Sequence, residues 1–332
     1  MSPQTILALG YHDQSSPRHR SVCDALKKEG HTIVECHTSL KGIIGKYHDL
    51  WKKFRQFSIF NFQFSIILVP FPGHFLMPLA WCLSRHPRRR LLFDAFLSLY
   101  DTNVRDRRRV PRWHPLACLW YFVDLASCHL ADEVLIDTEE HKKYFVKTFF
   151  LRPEKVRVIY LESRSDLFFP KPKTYNLKPE SWFDILFYGS YIPLHGIEHI
   201  LHAAALLQDH SPQIRFIIVG SGQEQPAMHA LARELHLQNV AFLPFVPLND
   251  LPSLIHSADL CLGIFGTSGK ARRVIPHKVY DAVACGVPVI TADTPAIRER
   301  FSHHEKVTLC EAGNADALAK KILACKASRS QQ

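Results

Sequence analysis

A chain of 332 residues, 47% hydrophobic, is long enough to bury two cores of ordinary domain size. Its net charge of +10 is uneven, because residues 1–160 carry 24 Lys and Arg against 15 Asp and Glu, which is +9. Nine cysteines without CxxC spacing give neither a disulfide framework nor a cysteine zinc site, and the opening residues lack the basic region and apolar run of a signal peptide, so the expected location is the cytoplasm.

In chain order, Thr5–Gly10 is short and apolar, 11–20 is polar, Val22–Gly30 has helical spacing and His31–Cys36 reads as a strand, a βαβ opening. Ser16 before Pro17 is an N-cap and first-position pair, which puts the loop at the carboxyl edge of the first strand, where ligands bind. Ser15, Arg18 and Arg20 are the candidate acceptor contacts there, against the plainer reading of a capped surface helix. There is no GxGxxG to support a dinucleotide site. Residues 37–57 look helical and basic, and 57–64 are unusually aromatic. The segment 64–84 could span a bilayer by length, but three prolines and Gly73 divide it into a buried strand ending at Val69, a turn carrying His74 and a short helix. His74 would then point into a cleft, although a lone histidine is more often structural.

Between Arg85 and Arg112 lie nine arginines and three acids, around an apolar run that reads as a strand. Asp94 and Asp101 are the candidates for a general base or acceptor-orienting carboxylate, or else they neutralise those arginines. The basic half suits an anionic membrane surface or a phosphorylated substrate. Nucleic acid is not expected, since no recognition motif or aromatic-interleaved surface accompanies the arginines. Further alternation (helix 116–131, strand 133–137, helix 138–149, strand 156–161) makes this half a doubly wound α/β domain over residues 1–167, with a hinge at 168–176 and a second domain over 168–332.

The second half restarts the pattern with a strand at Phe183–Tyr188, then Gly189, a turn through Pro193-Leu-His195-Gly196 and a helix over Ile197–Leu207. A strand at Ile214–Val219 leads into Gly220, and Val240–Phe242 is followed by Phe245 and Val246. Phe245 by itself reads as a core aromatic. The half is organised around Asp259–Thr291: a strand, a basic loop with Lys270, Arg272 and Arg273, and a helix of about three turns begun by Pro276 and stopped by Gly286 and Pro288. Val279, Ala282 and Val283 take the sheet face, whereas Lys278 and Asp281 share a face that can meet a ligand. Helix-start amides with Lys270, Arg272, Arg273 and Lys278 make an anion site of the kind nucleotide diphosphates occupy, and Asp281 could accept from a ribose diol. The alternative is an exposed Lys278–Asp281 pair beside solvated arginines. A helix over Asp316–Cys325 and a frayed tail from Ala327 close the chain.

The run Pro276-His277-Lys278-(x2)-Asp281-Ala-Val-Ala-Cys-Gly286-Val-Pro288-Val-Ile resembles the donor-site motif of glycosyltransferase family 4, in its Pro-x-Lys branch. The resemblance covers most of 155–325 well and 90–150 loosely. It implies a GT-B fold, two facing Rossmann-like domains, with the nucleotide sugar held by the second and the acceptor by the first. It also implies that Asp281, shortened from the usual Glu, holds the donor ribose. His195 stands where the family commonly has a phosphate-binding lysine before Gly196, and Phe245 and Val246 fall in the base-binding loop. Arg273 replaces the second acid eight residues upstream, and Phe96 replaces the histidine two residues after Asp94.

The expected function is therefore a metal-independent glycosyltransferase without a cofactor, moving a sugar from a nucleotide-sugar donor to a glycan or lipid-linked acceptor, with retention as the family implies. Its expected setting is cytoplasmic, peripheral on the inner face of an anionic membrane, docked through arginines such as Arg88–Arg90. A sugar-nucleotide epimerase of the same fold and a partner subunit without chemistry are the rival readings.

Overall fold

In the computed structural model, which describes residues 4–59, 63–171, 182–209, 211 and 213–329, the apolar runs become strands of two parallel six-stranded sheets. Compact units of residues 1–162 and 163–332 each contain one sheet.

The N-terminal unit runs β1 (Thr5–Gly10), α1 (Pro17–Lys28), β2 (Thr32–His37), α2 (Ile43–Ile59), β3 (Ile66–Val69), α3 (Met77–Leu83), β4 (Arg90–Asp94), α4 (Pro115–Leu130), β5 (Glu133–Ile136), α5 (Glu139–Thr148) and β6 (Val156–Val158). Its strand order is β2-β1-β3-β4-β5-β6, and Leu7 lies opposite both Val34 and Ile67. Both faces of the central strands are covered, as a parallel sheet requires. Leu7, Leu9, Ile67, Val69 and Phe93 fill one core, whereas Ile6, Ala8, Leu68 and Leu92 pack with Val22 and Leu26 of α1 on the other side. Strand order reverses between β1 and β3, so the carboxyl ends of these strands flank the crevice where open α/β sheets bind ligands. Ser16 caps α1, its side chain accepting from the His19 amide, with Pro17 in the first position.

The C-terminal unit runs β7 (Phe183–Tyr188), α6 (Ile197–Gln208), β8 (Ile214–Val219), α7 (Gln225–Glu234), β9 (Val240–Leu243), α8 (Leu251–Ser257), β10 (Leu260–Leu262), α9 (His277–Ala284), β11 (Val289–Ala292), α10 (Pro295–Phe301), β12 (Val307–Cys310) and α11 (Ala315–Arg329). The order β12-β11-β10-β7-β8-β9 reverses between β10 and β7, which opens a crevice beyond Gly189.

Several boundaries differ from the sequence reading. Helix α9 is two turns and a little more, because Pro276 is extended (φ −69°, ψ 135°) and acts as the cap rather than the first helical residue. Asp101–Asp106 form a wide helical turn, not a continuation of the β4 strand. Helix α11 continues to Arg329 through the stretch expected to fray. Helices α7, α8 and α10 and strand β12 arise where no element was read. Residues 60–62 of the aromatic segment and 172–176 of the expected hinge lie outside the described residues.

Candidate active site

The C-terminal crevice is built on glycines. Gly189 ends β7 at φ +145°, and a Cβ there would meet the His195 ring and Lys278 Nζ, each at 3.1 Å. A Cβ on Gly220, after β8, would lie 2.1 Å from the Gly189 carbonyl oxygen, so the two strand ends touch through bare backbone. Gly196, at φ +60°, is the left-handed residue that starts α6, and it presses on the Phe265–Gly266 backbone. His195 meets the Ser190 carbonyl through Nδ1 and stands edge-on to Phe187 with ring centroids 5.5 Å apart. Lys278, in the first turn of α9, lies over the other side of this centre with Nζ 4.0 Å from the Phe187 ring centroid.

Lys278 is buried, and Nζ has no hydrogen-bond acceptor among the described residues. Burial drives its pKa well below the usual lysine value, since an ammonium in an apolar setting loses its hydration without a counter-ion in return. The ligand-facing position expected for Lys278 is thus a buried one, with Nζ beside the bare backbone of Gly189.

Asp281 is placed as a buried carboxylate rather than an open ligand-facing one. It is 2% exposed, and its oxygens are engaged: Oδ1 accepts from Ser163 Oγ at 2.6 Å, and Oδ2 faces His277 Nδ1 at 3.0 Å and Tyr188 Oη at 3.4 Å. The contact to His277 four residues earlier orients that ring. His277 was not singled out from the sequence, although its spacing of four residues before Asp281 is a readable helix-pair signal.

Arg272 and Arg273 lie in the short helical turn Ala271–Arg273; Arg272 is exposed and Arg273 half-buried. Phe245 is 74% exposed rather than a core aromatic, and Val246 beside it is half-buried. An exposed phenylalanine in the loop beyond β9 offers a flat apolar face to a ligand ring.

In the N-terminal unit the candidates separate. Arg18 and Asp94 are both buried and form an ion pair: Arg18 Nε and Nη2 donate to Asp94 Oδ1 at 2.9 and 2.7 Å, and Nη1 meets the Ile159 carbonyl. Phe96 covers the guanidinium at 5.2 Å. Asp94 therefore neutralises Arg18, not the arginines of 85–112, and neither group is a free acceptor contact. Asp101 is buried in the wide turn, its amide donating to Ser98 Oγ. His74 is buried rather than set in a cleft: Nε2 donates to the Leu97 carbonyl at 3.2 Å, and the ring stands edge-on to Phe93. Of the loop residues, Ser15 is exposed and bonded to Asp13, and Arg20 is half-buried on α1. The expected membrane arginines are also taken, since Arg88 pairs with Asp132, Arg90 pairs with Glu133, and Arg89 is buried against Phe54 and Phe64.

Residues 170–331 match the family model of the glycosyl transferases group 1. An uncharacterized glycosyltransferase of Haemophilus influenzae is 26% identical over 278 residues, covering 83% of this chain and 70% of that protein. The C-terminal half of the chain carries a domain of the group 1 glycosyl transferases. A chitobiosyldiphosphodolichol beta-mannosyltransferase of Yarrowia lipolytica is 30% identical over 114 residues, a match spanning 33% of this chain and 24% of the yeast protein. The crystal structure of Anabaena HepE in complex with UDP superposes with a TM-score of 0.70 at 19% identity, covering 98% of this chain and 90% of that one. That likeness shows the fold, which is the expected α/β GT-B class.

Gly189, His195, Gly220 and Lys278 are brought together at one crevice. Arg18, Asp94, His74 and Asp281 are instead held in internal bonds. Phe187, the ring under both His195 and Lys278, was missed because a strand phenylalanine carries no functional signal in sequence. No helix among the described residues is long and apolar enough to cross a membrane.

Proposed function

We propose that the transferase takes its sugar from a nucleoside diphosphate sugar whose diphosphate lies over Gly189, between His195 and Lys278, and passes it to a glycan or lipid-linked acceptor. The observation that carries this reading is Lys278: a buried amine with no acceptor among the described residues, at the first turn of α9 and beside the bare backbone of Gly189. An anion placed there supplies the missing counter-charge. As the bond to the anomeric carbon breaks, negative charge grows on the departing diphosphate, and Lys278 with the α9 amides meets it in place. In this reading the transfer needs no metal at the donor, and it proceeds with retention, as the motif's resemblance implies.

The UDP complex of Anabaena HepE makes uridine nucleotides the first donors to test, and the dolichol-linked relative supports a lipid-linked acceptor. A membrane setting draws support from a surface other than Arg88–Arg90. Arg108, Arg109 and Arg112 are exposed just before α4, and Trp113, Leu116, Leu119 and Phe122 expose apolar side chains along its start. A cationic flank beside exposed aromatics suits the interface of an anionic bilayer on the cytoplasmic side.

The test is a thermal-shift panel of nucleotide sugars, followed by product analysis with and without lipid-linked acceptors. One nucleotide sugar should stabilise the protein and be consumed only when acceptor is present. Conversion of donor alone to an isomer would make the protein an epimerase, and binding without any turnover would make it a partner subunit.

A further inference from the structure

In the N-terminal unit, three side chains converge at the carboxyl edge of the sheet beside the β1/β3 reversal. His12 follows β1, His19 stands in the first turn of α1, and Glu35 lies on β2. One ligand-capable atom from each lies within 4.8 Å of the others. His19 Nε2 is 2.9 Å from Glu35 Oε1, and His12 Nε2 is 3.2 Å from Glu35 Oε2.

The unusual member is His12. Its side chain is completely buried, and among the described residues Nδ1 has no hydrogen-bond partner and Nε2 has only the close approach to Glu35 Oε2. Buried imidazole nitrogens normally find partners, and a metal ion held by the three converging side chains would satisfy Nε2 and the carboxylate together. Tetrahedral ligands at about 2.0–2.1 Å from zinc stand roughly 3.3 Å apart, close to the spacings here.

The surroundings hold the donors in place. A Cβ on Gly10 would lie 2.8 Å from His12 Nδ1, so glycine at the strand end makes room for the ring. The His12 carbonyl accepts from His37 Nε2 at 2.9 Å, which fixes the loop behind it. Glu35 is 32% exposed, which leaves one side of the cluster reachable from solvent.

We propose that His12, His19 and Glu35 form a binding site for a divalent first-row transition metal of the zinc type, with a coordination position left open at the edge of the N-terminal sheet. Two imidazoles and one carboxylate suit Zn²⁺ and its borderline neighbours, not Mg²⁺ or Ca²⁺, which prefer all-oxygen sets. This site shares no residue with Gly189, His195 or Lys278, so it stands independently of the donor reading. It also departs from the expectation of a metal-independent protein, because the two histidines and the glutamate come together from separate elements only in the fold.

The full chain, freed of metal by chelator dialysis, is titrated with Co²⁺ and then Zn²⁺, with visible absorption and native mass spectrometry as readouts. One Co²⁺ per chain is expected, with the visible bands of a low-coordinate nitrogen–oxygen site, displaced by Zn²⁺ and not by Mg²⁺. His12→Gln and Glu35→Gln should each weaken Co²⁺ binding at least about tenfold. Circular dichroism checks the fold of each variant, and Glu35→Gln, nearly isosteric and partly exposed, carries the test if His12→Gln misfolds. Absence of stoichiometric binding by the metal-free chain would overturn the proposal. Equal affinity in a folded Glu35→Gln variant would overturn it as well, leaving a metal-free imidazole–carboxylate cluster.

Discussion

Lys278 Nζ lies 4.0 Å from the centroid of the Phe187 ring, buried and without an acceptor among the described residues, and a side chain on Gly189 would start 3.1 Å from it. Burial depresses the lysine pKa, and an anion at Nζ should raise it again. Nucleotide binding should therefore be coupled to proton uptake. Calorimetry in buffers of differing ionisation enthalpy, over a range of pH, is expected to show net proton uptake on binding. Lys278→Ala should abolish that uptake and weaken affinity at least tenfold, since a charged hydrogen bond contributes about 1.5–3 kcal/mol. Unchanged uptake in a folded variant would assign the proton elsewhere.

The Arg18–Asp94 pair makes an opposite prediction for a residue that resembles a catalytic acid in sequence. Removing one partner strands a buried charge, which costs about 3–5 kcal/mol. Arg18→Ala should lower the urea stability of the N-terminal unit by that order, and adding Asp94→Asn should recover part of the loss. A general base would behave differently, with Asp94→Asn eliminating turnover while stability held.

His74 should contribute a pH dependence to stability. Burial lowers its pKa to about 4, and an unfolded histidine titrates near 6.5, so between these values the unfolded chain binds more protons. The stability contributed by neutral His74 is complete above pH 6.5 and is lost as pH falls through 4, by up to about 3 kcal/mol. Asp124, 3.5 Å away, works in the other direction, because burial raises its pKa to about 7 and its protonated form is favoured in the fold. The informative quantity is thus the stability of wild type minus that of His74→Gln, which should shrink from pH 7 to pH 4. A difference that grows on acidification would mean a charged His74–Asp124 pair.

Membrane attachment, if it occurs through the start of α4, should depend on both charge and apolar area. Flotation with phosphatidylserine-containing liposomes is expected to recover the wild-type protein at low salt and lose it at high salt. Trp113→Ala with Phe122→Ala should abolish recovery, and so should charge reversal at Arg108 and Arg109, at about 1 kcal/mol per basic residue. Charge reversal at Arg88 should have little effect, because Asp132 already neutralises it. No flotation at low salt would favour a soluble acceptor.

Local pattern determined most of the architecture. Unbroken apolar runs such as 66–69 and 260–262 had to be strands buried on both faces, Ser16-Pro17 had to begin a helix, and the spacing through Lys278 and Asp281 placed both in the first turns of one helix. Those features follow from backbone hydrogen bonding and side-chain period, which act over a few residues. The state of each polar side chain was decided only by the tertiary structure. Asp94 meets Arg18 across 76 positions, Asp281 meets Ser163 across 118, and His12, His19 and Glu35 converge from a loop, a helix and a strand. Whether a charged group is a tool or a neutralised partner depends on which distant group the chain returns beside it, and on whether water is excluded there. Lys278 shows the same physics in reverse: local spacing places it on its helix, but only the packing of Phe187 against it and the bare backbone of Gly189 beside it leave its amine buried without an acceptor among the described residues.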